Sequence, residues 1–138
     1  MRYLGLDLGS RTLGIAVSDV LGIVASTYST IRHEEEYDKL IDEVVHLAYE
    51  LKIGAIVLGF PKNMNNTIGP KGELSLAFKE KLEKKLDIPI YLQDERLSTK
   101  SAHDVLISGN MSRKKRKKVV DSVAATIILQ SYLDKENR

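Results

Sequence analysis

The chain has 138 residues, of which 43% are hydrophobic and 29% are charged, an ordinary balance for one globular domain. It has no cysteine, which excludes disulfides and thiolate metal sites. No apolar run approaches the ~20 residues of a membrane helix, and the N-terminus lacks the basic and apolar regions of a signal peptide. We therefore expect a single domain, residues 1–138, that is cytoplasmic and makes no membrane contact.

The charge is unevenly distributed along the chain. Six of the 21 Lys and Arg residues form one uninterrupted run at positions 113–118. The rest of the chain, with 15 basic and 19 acidic residues, carries a net charge of −4. A concentrated basic patch on a mildly acidic body indicates that a polyanion docks at one place.

The hydrophobic pattern predicts an α/β protein. Residues 3–8 alternate, with Leu4, Leu6 and Leu8 on one face, and residues 9–14 supply turn chemistry before an apolar run resumes at Ile15, which is typical of a β-hairpin. Strands are predicted at 24–31, 55–58 and 88–92, helices at 34–52, 74–86, 98–109 and 113–134, and a polar loop at 62–72. This order predicts a mixed five-stranded sheet, a three-strand antiparallel meander followed by parallel strands, flanked by helices.

Three carboxylates occupy positions where a charge is unexpected. Asp7 stands inside the apolar first strand, where an ionised carboxylate is costly unless a cation or hydrogen-bond donors compensate it. Glu95 follows the fifth strand, at the carboxyl edge where open α/β sheets place their ligands. Asp121 lies in the last helix, at the border of its apolar stripe. That stripe consists of Val120, Val123, Ala124, Ile127 and Ile128.

Convergent carboxylates without His or Cys are typical ligands of Mg²⁺ or Mn²⁺. A pair of such ions ~4 Å apart can activate water and stabilise the leaving oxygen in phosphodiester hydrolysis. The residues by themselves leave two interpretations open. Either the three carboxylates form a metal site, or each pairs separately with a neighbouring Lys or Arg.

The basic run precedes Asp121 in the same predicted helix. Lys117 and Lys114 lie one and two turns before Asp121 on the same side, ~6 and ~10 Å away. A phosphate backbone along this helix would meet the cations first and then the carboxylate. We therefore expect nucleic-acid contact here, with a solvated lysine face as the alternative. The residues expected to bind are Arg113, Lys114, Arg116, Lys117 and Lys118.

Four segments of the chain resemble the motifs of one family in the same order. They are Gly5-Leu-Asp-Leu-Gly with Leu13-Gly-Ile-Ala-Val-Ser-Asp19, Leu58-Gly-Phe-Pro-Lys-Asn-Met-Asn, Asp94-Glu-Arg-Leu-Ser-Thr99, and Val120-Asp-Ser-Val-Ala-Ala-Thr-Ile-Ile-Leu-Gln-Ser-Tyr-Leu133. Together they are similar to the YqgF (RuvX) family of RNase H-like nucleases over nearly the whole chain. The resemblance implies an RNase H-like fold, and it makes Asp7, Glu95 and Asp121 the acidic active-site positions.

The resemblance also implies a function. It predicts a metal-dependent nuclease, using Mg²⁺ or Mn²⁺, that helps to mature the 5′ end of pre-16S ribosomal RNA during ribosome biogenesis. We expect the protein to be a monomer or a weak homodimer. Further contacts with nucleic acid are expected from Arg11, Lys62, Asn63 and Arg96, although the two loop residues could form a plain surface loop and Arg96 could pair with a carboxylate.

Three alternatives remain at this stage. A Holliday junction resolvase would keep the chemistry, but it normally needs a dimer to cut two strands symmetrically. A non-catalytic RNA-binding or transcription factor would bind RNA without regard to metal. A phosphotransferase of the actin and sugar-kinase group has a similar first phosphate loop, but it clamps ATP between two such halves, and 138 residues supply only one.

Overall fold

The computed structural model describes residues 1–61, 68–94 and 113–137, and within the last range it describes side chains from Ser122 onward. The strands are β1 (Arg2–Leu8), β2 (Thr12–Ser18), β3 (Ala25–Arg32), β4 (Ile53–Phe60) and β5 (Ile90–Asp94). The helices are α1 (Tyr37–Glu50), α2 (Pro70–Glu83) and α3 (Arg113–Glu136). The short helix predicted at 98–109 lies outside these ranges. Within them, no helix is long and apolar enough to cross a membrane.

The five strands form one sheet in the order β3-β2-β1-β4-β5. β1 pairs antiparallel with β2, and β2 pairs antiparallel with β3, so the first three strands are a meander. β4 pairs parallel with β1 and β5 pairs parallel with β4. Parallel neighbours need a long crossover, which α1 and α2 provide. The predicted mixed sheet is confirmed.

The alternation of β1 divides the core into two layers. Leu4, Leu6 and Leu8 are buried in the larger cluster, together with side chains from α1 and α2. Gly5 faces the other way, against Leu129 of α3. The second cluster contains Ala16, Val57, Ala125, Ile128, Leu129, Tyr132 and Leu133. The sheet is therefore covered by α1 and α2 on one face and by α3 on the other.

Several predicted boundaries are wrong for identifiable reasons. The first helix begins at Tyr37 rather than at residue 34, because Glu35 adopts a left-handed φ of 64° and Glu36 is the N-cap. The second helix begins at Pro70, four residues earlier than predicted, because proline at the first turn loses no helical hydrogen bond. The predicted loop at 62–72 is correspondingly shorter.

The strand boundaries also differ from the predictions. β2 already begins at Thr12, which was predicted as turn and pairs with Arg32 of β3. Leu13 and Gly14, also predicted as turn, pair with Leu8 and Asp7 of β1. β4 extends beyond 55–58 to residues 53–60, and β5 begins at Ile90, after Pro89 rather than through it. Proline cannot donate to the sheet ladder, which explains its place just before the strand.

The buried face of α3 is rotated from the predicted stripe. Ala124 and Ile128 are buried as predicted, but Val123 and Ile127 are only half-buried. Val120 lies among the residues whose side chains are not described. The other buried hydrophobic positions of α3 are Ala125, Leu129, Tyr132 and Leu133. The smallest positions of the sheet face, Gly5 and Ala16, create the depression that these side chains fill.

Candidate active site

Asp7 is a buried carboxylate near the carboxyl end of β1. It is 8% exposed and lies on the face that α3 covers, two residues beyond Gly5. Gly14 is its direct partner on β2. The pairing of β1 with β4 ends at Leu6 and Leu58, and extending this parallel register by one residue puts Gly59 of β4 on the other side of Asp7. Both flanking positions therefore lack a side chain, and Asp7 is the group that extends from this part of the sheet.

Helix α3 runs antiparallel to β1. The rings of Tyr3 and Tyr132 lie 5.9 Å apart, while a Cβ built at Gly5 would lie 2.7 Å from Leu129 Cβ and 3.1 Å from the carbonyl oxygen of Ala125. A step of two residues forward along β1, from Tyr3 to Gly5, therefore corresponds to a step of about one turn toward the N-terminus of α3. β3 has the same relationship, since Ala25 bonds to the side chain of Gln130, and Thr27 Oγ1 lies 3.0 Å from Thr126 Oγ1.

This alignment determines which part of α3 lies opposite Asp7. A strand rises about 3.3 Å per residue, so Asp7 lies about 6.6 Å along β1 from Gly5. A helix rises about 1.5 Å per residue, so about four residues of α3 span the same length. The contact at Ala125 therefore shifts back to about position 121. Position 121 is on the same helical row as Ala125 and Leu129, both fully buried. The side chain of Asp121 is outside the described part of the structure.

The side chains of β5 make further contacts with α3. Tyr91 stacks on Tyr132 with ring centroids 5.3 Å apart, and Gln93 accepts a hydrogen bond from Lys135 of α3, so both β5 residues face α3. The side chain of Asp94 lies on the opposite face of the sheet, because successive side chains of a strand alternate between the two faces. Glu95, which follows Asp94, lies outside the described residues, as do Lys62, Asn63 and Arg96. Burial raises the pKa of Tyr132 to about 12.

The turn between β1 and β2 presents Arg11 at the edge where β1 ends. Arg11 is exposed, and the turn is closed by a hydrogen bond of 2.8 Å from the Gly9 N–H to the Thr12 carbonyl. The basic residues predicted to bind nucleic acid form the first turns of α3, which precede position 121. These residues are Arg113, Lys114, Arg116, Lys117 and Lys118, and their side chains are not described.

Of the three predicted carboxylates, only Asp7 has a described side chain. Extending the contacts of α3 with β1 by one helical turn puts the backbone of position 121 opposite Asp7, and Arg11 lies in the turn that follows β1. Among the described side chains, no group of three or more His, Asp or Glu residues could hold a metal ion. Glu95 and Asp121, two of the three proposed ligands, are not among these described side chains. The buried carboxylate in a cradle of two glycines fits a hard divalent cation, which prefers oxygen ligands.

His33 is assigned no functional role by the sequence pattern. It is 6% exposed and contacts the turn that follows Asp7, through the carbonyl groups of Gly9 and Arg11. No sequence pattern signals this role, because both partners are backbone atoms brought close by the meander. His46, by contrast, is exposed on α1.

Comparison with known proteins gives a family match over nearly the whole chain. The model of the family described as "RuvX: Holliday junction resolvase" matches residues 1–135. A Bacillus licheniformis protein named "Putative pre-16S rRNA nuclease" is 52% identical over 138 residues, which cover 99% of each chain. A Bacillus subtilis protein of the same name is 50% identical over 138 residues, which cover 99% of this chain and 100% of the relative.

A solved structure has the same fold. Thermus thermophilus RuvC, in a complex with a Holliday junction substrate, superposes with a TM-score of 0.63 at 15% sequence identity. The match covers 99% of this chain and 96% of the RuvC chain. This likeness confirms the RNase H-like fold that the sequence predicts.

Proposed function

This chain belongs to the RuvX family and is a nuclease, and we propose that its substrate is the precursor of 16S ribosomal RNA, cleaved in a metal-dependent reaction during ribosome biogenesis. The substrate is carried over from relatives about half identical along their full length. Such a role would place the protein in the cytoplasm, as a monomer or weak homodimer.

The observation that carries the proposal is the placement of Asp7. Asp7 is 8% exposed, lies opposite Gly14 and faces α3, so its carboxylate oxygens stand on the covered face of the sheet, where a hard divalent cation would be bound by oxygen ligands. We assign Asp7, Glu95 and Asp121 as the catalytic, metal-binding residues, for Mg²⁺ or Mn²⁺. When bound, such an ion supplies activation of water and neutralisation of charge at the phosphate.

The remaining residues have supporting roles. The close approach of α3 at Gly5 fixes the distance between β1 and position 121. Cations ahead of position 121, and Arg11 at the turn, hold the phosphate backbone along this edge. Lys62, Asn63 and Arg96 are assigned to the same surface. Phosphate contacts of this kind position a substrate without reading its sequence, so selectivity has to come from RNA shape.

A second substrate is supported by one observation, the description of the matching family as Holliday junction resolvases. Branched DNA would use the same carboxylates and the same basic surface. The two substrates differ in symmetry, because a resolvase cuts two strands and so needs two active sites.

The test is cleavage of two labelled substrates by the purified chain, a ribosomal RNA precursor that spans the 5′ end of 16S and a four-way DNA junction. Each is incubated with Mg²⁺, Mn²⁺ or EDTA. We expect cutting of the RNA that EDTA abolishes, at a specific position. Paired symmetric cuts in the junction, with the RNA left intact, would support the second substrate. RNA binding without cutting under every condition would contradict the nuclease assignment.

A further inference from the structure

His33 lies at a junction of three elements, directly after β3, before α1 and beside the β1–β2 turn. Its backbone N–H donates to the carbonyl oxygen of Arg11 at 2.8 Å. Its ring Nε2 lies 3.2 Å from the carbonyl oxygen of Gly9. One residue thus holds both ends of the turn that begins two residues after Asp7.

The hydrogen bonds of the ring determine its tautomer. The backbone N–H of Glu35 donates to Nδ1 at 3.1 Å, so Nδ1 is an acceptor and carries no proton. The neutral ring then carries its proton on Nε2, and this N–H donates a hydrogen bond to the carbonyl oxygen of Gly9. Since each ring nitrogen has its own partner, the ring cannot turn over without losing both bonds.

The backbone around His33 is strained. Glu35 has a φ of 64°, a left-handed conformation that costs about 1–2 kcal/mol for a residue with a side chain. The ring of Tyr37 packs on the ring of His33 with centroids 5.3 Å apart. A strained conformation persists only where its surroundings determine it fully, and such places concentrate at functional sites.

We propose that His33 is a positioning residue of the nuclease reaction, which fixes the β1–β2 turn and so the placement of Asp7 and Arg11 relative to the substrate. This inference rests on the proposed function, because the position of the turn affects cleavage only if Asp7 is catalytic. Since Asp7 is two residues from Gly9, release of the Gly9 carbonyl loosens the end of β1. A misplacement of ~1 Å at a reacting group lowers the rate by about 100-fold.

Two substitutions separate the two bonds of the ring. Glutamine can place its amide nitrogen near the position of Nε2 and donate to Gly9, whereas asparagine can place its oxygen near Nδ1 and accept only from Glu35. We expect His33→Gln to retain most of the cleavage rate. We expect His33→Asn to lose about 10- to 100-fold in kcat, with KM for the RNA little changed. His46→Asn, on the exposed side of α1, is the matched control and should cleave like the wild type.

Amide hydrogen exchange provides a readout that does not depend on cleavage. In His33→Asn the backbone amides of Gly9 and of position 33 should exchange faster than in the wild type. In His33→Gln only the amide of Glu35 should exchange faster than in the wild type. Amides of β4 report global stability and should be equally protected in all variants.

The outcomes separate this proposal from the proposed function. Equal kcat and equal turn exchange in His33→Asn and His33→Gln would overturn the positioning role, as would losses that only follow a common drop in stability. If the wild type cleaves neither substrate, the nuclease assignment fails on its own. In that case amide hydrogen exchange alone tests the role of His33 in holding the turn. Wild-type exchange of the turn amides in His33→Asn would reject this role, and the faster exchange described above would support it.

Discussion

Gly5 of β1 and Leu129 of α3 are in direct contact, and a Cβ built at Gly5 would lie 2.7 Å from the Cβ of Leu129 and 3.1 Å from the Ala125 carbonyl oxygen. No side chain fits between the strand and the helix at this point. Gly5 is two strand residues from Asp7, and its second contact, Ala125, is about one helical turn from position 121. We therefore predict that the spacing between Asp7 and position 121 depends on this glycine.

Gly5→Ala should push α3 away from the sheet. We expect the free energy of unfolding to fall by about 1–3 kcal/mol, the usual cost of overpacking a core. Cleavage by the folded fraction should fall by on the order of 10- to 100-fold, because position 121 moves relative to Asp7. Urea denaturation and cleavage kinetics measure the two effects.

Gly54→Ala is the control for that substitution. Its added Cβ would meet the side chain of Met1, with the sulfur at 2.7 Å, and this flexible residue at the start of the chain can move. Normal cleavage is expected. If Gly5→Ala also cleaves normally, the spacing between β1 and α3 is not what limits the reaction.

The basic run should control binding rather than chemistry. Replacing Lys114 and Lys117 with alanine should weaken RNA binding and lower the slope of log affinity against log salt by about 2, one unit for each lost phosphate contact. The rate at saturating RNA should remain that of the wild type. Alanine substitutions of Lys39 and Lys84, exposed on the opposite face of the protein, provide the matched control. An unchanged salt slope would contradict docking at the start of α3.

The loop between β2 and β3 should make stability depend on acid pH. Asp19 Oδ1 accepts the backbone N–H groups of Val24 and Ile23 at 3.0 and 2.8 Å, and these bonds lower the pKa of Asp19 from its ordinary value of 3.8. Because the folded pKa is the lower one, this contribution is complete above about pH 4 and is lost as the pH falls through the folded value. Asp19→Asn should therefore flatten the acid side of the stability profile, measured by urea unfolding from pH 2 to pH 7. A profile as steep as that of the wild type would exclude this role.

The sequence was informative where periodicity alone determines the structure. Alternation in residues 3–8 placed Asp7 on the face opposite Leu6, and the order of elements predicted the mixed sheet. The start of α1 was not predictable, because Glu35 adopts a conformation that few residues with side chains occupy. The buried face of α3 was misjudged because it follows the depression at Gly5 and Ala16, a property of the assembled sheet. His33 could not be found for a similar reason, since its partners are backbone groups.

The most direct test of the central claim compares Asp7→Asn with Asp94→Asn. Both replace a strand carboxylate by its isosteric amide, but Asp7 faces α3 and Asp94 alternates to the other face of the sheet. The measurement is the Mg²⁺-dependent cleavage rate of the 16S precursor at saturating RNA, with RNA affinity and thermal unfolding followed in parallel. We predict that Asp7→Asn folds and binds RNA but does not cleave it, while Asp94→Asn cleaves like the wild type. Cleavage by folded Asp7→Asn at the wild-type rate would contradict the account.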